Sequence, residues 1–357
     1  MVQSDNDVAV SICCLVYNHV DYIRDAMDSF LSQKTNFAYE IVIHDDASTD
    51  GTVEILKEYE DRYPDIVRVV YEDENQFSKW GKLTTAIFIP LARGEYMAFC
   101  EGDDFWIDDS KLQRQFDYLE AHPNYSMCFH NALVYDCCKG ILFRSSLELD
   151  DGDRSIQDII LHGGGYANCT GSFFYRRSAL DRPLSFFEEA PVGDYPLMFL
   201  LALKGRVRWM ADPMMVYRCG RPGSWTADEH RNSRTKRMDS LKRVLQNLTL
   251  FNEETGQAYE KEVAMRKKPL IEALEYDIMK CKAEKGEIEI RRILNREDLS
   301  KSAKIKLVTA RLFPVSIGRV LESLYRRVER VKPLPSSTKA ENRYCKRILE
   351  AKWGRGL

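Results

Sequence analysis

A chain of 357 residues that is 44% hydrophobic and 30% charged is too apolar for a disordered polymer and too mixed for a fibrous one. It is long enough to bury a substantial core without disulfide or metal staples. The formal net charge of −3 conceals an asymmetry: residues 1–230 hold 21 basic and 38 acidic groups, whereas residues 231–357 hold 31 and 17. That shift in sign separates an acidic module, 1–230, from a basic one, 231–357.

The ten cysteines include the neighbours Cys13-Cys14 and Cys137-Cys138, and none shows the paired spacing of a zinc site. The first residues are polar and acidic, unlike a secretory leader. Free thiols and a cytoplasmic location are therefore expected. The densest apolar patch, Pro196 to Leu203, falls far short of the roughly 18–20 residues that span a bilayer. Contact with a membrane, if made, is expected at its inner face.

Val8 to Val16 reads as a short, buried, β-branched strand ending at Tyr17-Asn18. Asp21 to Gln33 has helical spacing, with Ile23, Met27, Phe30 and Leu31 on one side. Glu40 to His44 is a second strand, closed by Asp45-Asp46. Ser48-Thr49-Asp50-Gly51 then signals a turn into a helix over Thr52 to Tyr63. Val67 to Glu72 is a third strand. A loop holding Lys79, Trp80, Gly81 and Lys82 leads to a helix predicted over Thr85 to Ala92. Tyr96 to Cys100 is a fourth strand, running directly into Glu101-Gly102-Asp103-Asp104.

This alternation predicts an α/β fold with a largely parallel central sheet flanked by helices. Further on, Lys111 to Ala121 reads as a helix, and Ser126 to Tyr135 and Gly171 to Tyr175 as strands. Asp194-Tyr195 opens a helix through Lys204, and Arg206 to Met210 reads as a strand. From about Arg231 the texture is charged, amphipathic helix, with interruptions expected at Pro269, Pro314 and Pro333 to Ser337.

Ligands of such sheets bind beyond the carboxyl ends of the strands. Three of those ends carry polar clusters: Tyr17-Asn18, Asp45-Asp46, and Glu101 to Asp104. Carboxylates crowded into one turn repel unless a cation neutralises them, and Mg²⁺ or Mn²⁺ suits oxygen ligands shared with substrate phosphates. By itself the turn fits either a metal or a solvated loop that caps the next helix. The segment from Asp45 to Gly51 fits either helix capping by Ser48, Thr49 or Asp50 or a nucleobase contact through Asp46. Asp194, at a helix start, fits either an N-cap or a base. His130, on an apolar strand, reads as a core residue.

Leu15-Val16-Tyr17-Asn18, Asp45 to Asp50, Ala92-Arg93-Gly94-Glu95-Tyr96 and Glu101 to Trp106, in this order, resemble the family 2 glycosyltransferases over roughly residues 8 to 226. The resemblance implies a GT-A fold. It also implies an inverting transfer of a sugar from a nucleoside diphosphate sugar, with a UDP-sugar favoured, in the presence of Mn²⁺ or Mg²⁺. The acceptor would be a hydroxyl of a saccharide or lipid-linked glycan, as in bacterial surface polysaccharide assembly. By position, Asp46 matches the base-pairing residue, Asp103 the metal ligand and Asp194 the catalytic base. Tyr17 lies on the nucleotide loop, Lys82 is placed to meet the diphosphate, and Glu101 stands where the family has the first Asp of Asp-X-Asp. The chain departs from the pattern at Glu101, at Gly193 before Asp194, and at Gly220, where Tyr217-Arg218-Cys219-Gly220 lacks the usual histidine. Arg218 and Arg221 suit either phosphate contact or buried ion pairs.

Residues 231–357 lie outside the resemblance. They read as a helical appendage packed on the catalytic domain or another subunit, with an amphipathic helix on an anionic membrane as the alternative. Nucleic acid is disfavoured, because acids interleave the basic groups. Two competing functions are a nucleotidyltransferase on a related sheet, which would need a Gly-rich phosphate loop after the first strand, and a catalytically degenerate assembly module.

Overall fold

The computed structural model describes residues 8–77, 85–148, 150–163, 168–181, 184–188, 190, 193–221, 234–285 and 336–354, with isolated residues between 287 and 308. Strands β1 (Val8–Val16), β2 (Ala38–Asp45), β3 (Val67–Tyr71) and β4 (Tyr96–Phe99) pair in parallel in the order β3-β2-β1-β4. Val10, Ile12, Cys13 and Cys14 of β1 are all fully buried. This is why the strand reads as a continuous apolar run rather than an alternating one. Helix α1 (Ile23–Leu31) buries Ile23, Met27 and Phe30, the face its spacing predicts, and α2 (Thr52–Arg62) buries Ile55, Leu56 and Tyr59.

Beyond β4 the sheet becomes mixed. Strand β9 (Phe174–Arg176) runs antiparallel between β4 and β6 (Tyr125–Asp136), and β10 (Arg206–Cys219) is parallel to β6. The two-residue β5 (Phe105–Trp106) closes the far edge against β10. Helix α3 (Lys111–Ala121) and helix α6 (Asp194–Lys204) cover this half, with the short α4 (Ile156–His162) and α5 (Ser185–Glu188) beside α6. Strands β7 (Ile141–Arg144) and β8 (Gly152–Arg154) are antiparallel additions to β6 and β10.

Four local expectations are corrected. Thr85 to Ala92 is a single 3-10 turn, Thr85–Phe88, because Pro90 supplies no N–H to continue a helix. The strand expected over Gly171 to Tyr175 starts later, at Phe174, after a 3-10 turn at Thr170–Ser172. The strand expected to stop at Met210 shifts register between Met210 and Met215 and continues to Cys219, so Tyr217-Arg218-Cys219 is strand rather than loop. Pro269 does not end its helix: it sits inside α8 (Glu260–Glu284), on a solvent-exposed side where water can serve the carbonyl left without its N–H partner.

The Ala92 to Tyr96 segment is a structural device at the end of the sheet opposite the carboxylate turns. Buried Glu40 accepts from Ser11 Oγ (2.7 Å), Arg93 N (2.7 Å) and Arg93 Nε (2.8 Å), and Gly94 N donates to Ser11 Oγ (2.9 Å). A Cβ on Gly94 would stand 2.6 Å from Ser11 N, so only glycine lets the backbones approach.

The helices after residue 231 complete this core. On α7 (Arg234–Glu254), Phe251 is fully buried against Phe186 (ring centroids 5.2 Å) and Phe199 (4.6 Å), while the Glu254 carboxylate accepts from Ser185 N (3.2 Å) and Phe186 N (3.1 Å). Arg266 of α8 donates to the Gly163 carbonyl at 3.1 Å. Helix α9 (Ser336–Trp353) begins inside the stretch expected to be a linker. It docks on β7 and β5 through Arg144–Glu341 (2.8 Å), Lys352 to Asp108 and Asp212 (2.8 Å each), and Trp353 on Phe105 (4.8 Å). Arg326-Arg327 and most of Lys304 to Arg319, the basic stretches behind the amphipathic-helix alternative, lie outside the described residues. No disulfide joins the ten cysteines, and among the described residues no helix is long and apolar enough to cross a membrane.

Candidate active site

The three polar strand ends converge. Gly102 N donates to Leu15 O (2.9 Å) and Asp46 N to Val16 O (2.9 Å), so the turns after β4 and β2 both hang on the end of β1. Asn18 takes a left-handed conformation (φ 53°), which its short side chain tolerates. The Ser48 to Thr52 segment holds it there. Asn18 N donates to Ser48 Oγ (2.9 Å), His19 N to Thr52 Oγ1 (2.9 Å), Val20 N to Asp50 Oδ2 (3.1 Å), and Thr49 N donates back to Asn18 Oδ1 (2.8 Å). This polar segment thus clamps the loop after β1, and at the start of α2 the Asp50 carboxylate accepts from Thr52 N (3.1 Å).

Gly102 packs its bare Cα beneath that loop. A Cβ there would meet His19 Nδ1 and Val16 Cγ2, each at 2.8 Å, so the acidic turn requires glycine for close approach. Around it stand Glu101, Asp103 and Asp104. Asp104 is buried; its Oδ1 accepts from Arg218 N (2.7 Å), its Oδ2 has no partner, and burial pushes its pKa well above the usual carboxylate range. Burial likewise raises Glu101 to about 7, reinforced by the neighbouring Asp103, and its buried Oε2 has no hydrogen-bond partner. For Asp103, burial acts upward, but His19 and Arg221 outweigh it and hold the carboxyl below its ordinary value.

Arg221 pairs directly with the Asp103 carboxylate. It also donates to His19 Nε2 at 2.5 Å, while that same imidazole nitrogen lies 4.0 Å from Asp103 Oδ1. Desolvation lowers His19 to about 4, so it is neutral near pH 7 and Arg221 is the effective counter-charge. Arg218 does different work: its guanidinium binds Asp25 Oδ2 (2.5 Å) and the Asp103 carbonyl (2.9 Å), bracing the turn's backbone.

Asp194, the first residue of α6, accepts from Tyr195 N at 2.8 Å, and burial raises its pKa. It lies near enough to Glu101 to raise that carboxyl further, with buried Cys169 also within the field of Glu101, Asp104 and Asp194. Asp194 therefore belongs to the same pocket of negative charge although some 90 residues separate it from the turn. Asp46 is committed differently: its two carboxylate oxygens accept from Gln76 N (2.6 Å) and Phe77 N (3.1 Å), and the residue is 1% exposed. It fixes the loop after β3, leaving Phe77 (46% exposed) and Tyr17 (45% exposed) as the outward aromatics there. Lys82 lies outside the described residues. His130 is a core residue as expected, buried and bonded through Nδ1 to Asn131 O (2.7 Å).

His19 was the site residue that motif reading passed over, although it directly follows Tyr17-Asn18. Among the described residues no three His, Cys, Asp or Glu side chains are grouped closely enough to hold a metal unaided. The unpartnered Glu101 and Asp104 oxygens nevertheless mark excess, uncompensated acceptor capacity beside Asp103. That donor set fits a hard divalent cation that takes its remaining ligands from outside the protein.

Residues 11–183 match the family described as Glycosyl transferase family 2. An uncharacterized protein of Mycobacterium tuberculosis is 33% identical over 229 residues, 60% of each chain. The putative teichuronic acid biosynthesis glycosyltransferase TuaG of Bacillus subtilis is 37% identical over 110 residues, 31% of this chain and 41% of that one. The chain thus matches about 60% of the length of its first curated relatives. Among solved structures, S. aureus TarS 1–349 in complex with UDP-GlcNAc superposes with a TM-score of 0.52 at 17% identity, over 90% of this chain and 92% of that one. This likeness speaks to the fold alone, a GT-A-type central sheet with helices following it.

Proposed function

We propose, from the premise that this chain carries a glycosyl transferase family 2 domain over residues 11–183, that it is a glycosyltransferase of surface polysaccharide assembly. It would move a sugar, with inversion, from a nucleoside diphosphate sugar to a hydroxyl of a saccharide or lipid-linked acceptor. The observation that carries the reading is that the Glu101 to Asp104 turn hangs on the end of β1, with Asp194, from a distant part of the sequence, near enough to raise the Glu101 carboxyl. The likeness to TuaG, named a putative teichuronic acid biosynthesis glycosyltransferase, supports the polysaccharide context, and the UDP-GlcNAc held by TarS supports a UDP-sugar as donor.

Asp103 is the residue that would hold Mn²⁺ or Mg²⁺, and Glu101, two residues before it, would meet the donor. The cation, when bound, supplies positive charge to the departing diphosphate. Asp194 is the base: its desolvated carboxylate takes the acceptor hydroxyl proton as that oxygen attacks the anomeric carbon and the bond to the diphosphate oxygen breaks. Attack from the face opposite the leaving group inverts the configuration. The Tyr195 N–H fixes the orientation of the carboxylate. Tyr17 is exposed at the lip of the site and available to a nucleobase; Asp46 supports that lip by anchoring residues 76 and 77. Residues 1–230 carry the chemistry in this reading, and 231–357 complete the fold.

The test is release of nucleoside diphosphate from a panel of nucleotide sugars with Mn²⁺ or Mg²⁺. Turnover should vanish with chelator and fall at least about 100-fold in Asp103→Ala. Full activity in Asp103→Ala would refute the assignment.

A further inference from the structure

Asp103 and Arg221 form an enclosed ion pair of the site, with side chains 13% and 7% exposed. The pair is more than a brace. Arg218, three residues earlier, already secures the turn through the Asp103 backbone carbonyl and Asp25. Arg221 instead uses the carboxylate itself, the group assigned above to the cation, and it also engages the lone pair of His19 Nε2. Its guanidinium lies 5.4 Å from the Tyr22 ring centroid, and its backbone follows Gly220, whose left-handed φ of 73° ends β10. A dication and a guanidinium cannot share this small, desolvated space without strong repulsion.

We propose that Arg221 is an exchangeable counter-cation. It neutralises Asp103 while the donor is absent. On donor binding it surrenders the carboxylate to the divalent cation and moves to the diphosphate, a better partner for its planar fork. The inference rests on the donor-site reading above and adds a consequence to it. Cation alone takes the Asp103 carboxylate from Arg221 and offers no anion in exchange, whereas cation and diphosphate together do. Cation and nucleotide therefore bind with positive coupling, and each strengthens the other by the same factor.

The measurement is Mn²⁺ binding to the full chain, followed by the EPR signal of free Mn²⁺, with and without UDP or GDP. For the unaltered protein Mn²⁺ alone should bind weakly, and saturating nucleotide should tighten it by about 5–150-fold. Arg221→Gln should bind Mn²⁺ alone at least about fivefold more tightly and lose most of the coupling. Asp103→Asn should abolish Mn²⁺ binding in both states. Should Arg221→Gln fail to fold by circular dichroism, Arg221→Lys carries the test, with reduced coupling expected from its single-point charge. Unchanged Mn²⁺ affinity and unchanged coupling in the folded variant overturn the exchange while leaving the donor site standing. Failure of the unaltered chain to bind Mn²⁺ with either nucleotide, when nucleotide alone still raises Tm, overturns the exchange and the cation assignment together. Absence of any nucleotide effect on Tm or Mn²⁺ binding overturns the donor reading as well.

Discussion

At the scale of single residues, the site is built from carboxylates whose environments push their pKa values apart. Asp103 is held low by His19 and Arg221 against the effect of burial, while Glu101, Asp104 and Asp194 are pushed up by burial. A base with a raised pKa is active only above it. The kcat/KM profile should therefore lose activity as pH falls through a value above the ordinary aspartate range, and Asp194→Asn should lose about 10²–10⁴-fold along with that acid limb. An acid limb that persists in Asp194→Asn would assign it to another group. Lys111 offers a separate test. It is fully buried 3.8 Å over the Trp106 ring, its Nζ has no hydrogen-bond partner, and desolvation lowers its pKa to about 7. Between about pH 7 and 10.5 the unfolded chain holds a proton that the folded chain does not, so stability rises with pH through that window. Lys111→Met should thus stabilise the fold by about 1–4 kcal/mol near pH 7, with the gain fading toward pH 10.5. A thermal melt of both proteins at the two pH values checks the sign.

At the scale of elements, helices α7 and α8 contribute side chains to a buried cluster of the preceding residues. Phe251 of α7 fills the space between Phe186 and Phe199 and is fully buried. Phe251→Ala should cost about 3–5 kcal/mol, as measured by denaturant unfolding, and a loss below 1 kcal/mol would show that α7 docks weakly. Helix α9 reaches toward the site from the other side. Trp353 packs on Phe105, which follows the acidic turn directly and stacks against Arg218 at 4.5 Å. Trp353 is half-buried, so Trp353→Ala is expected to cost about 1–3 kcal/mol.

For the whole molecule, the acidic and basic parts of the chain share apolar contacts. Leu248, Phe251 and Val263 lie beyond residue 230 yet share one buried cluster with Phe173, Phe186 and Phe199. A chain ending at residue 230 would expose that apolar surface to water. It should be recovered in aggregates or with molten tertiary structure, as read by near-UV circular dichroism, whereas the full chain melts cooperatively. A folded, cooperative fragment 1–230 would show that the later helices are dispensable.

What could be read without the structure were the features that depend on local order. The apolar run of β1, the helical spacing of Ile23, Met27 and Phe30, and the polar punctuation at Tyr17, Asp45 and Glu101 specify alternating strands and helices through periodicity alone. The acidic turn and its position after β4 were legible for the same reason. The partners of those carboxylates were not. Arg221 stands 118 residues from Asp103, and His19 lies 84 residues before it. Nor does spacing tell that Asp46 would bind the amides of Gln76 and Phe77, that β10 would run on through its register shift to Cys219, or that α8 would accommodate Pro269. Each of those outcomes is set by groups brought together across the sheet, where burial and pairing fix which charges survive. The acidic turn belongs to the sequence; its counter-charge belongs to the tertiary structure, because desolvation and proximity exist only once the chain has closed around it.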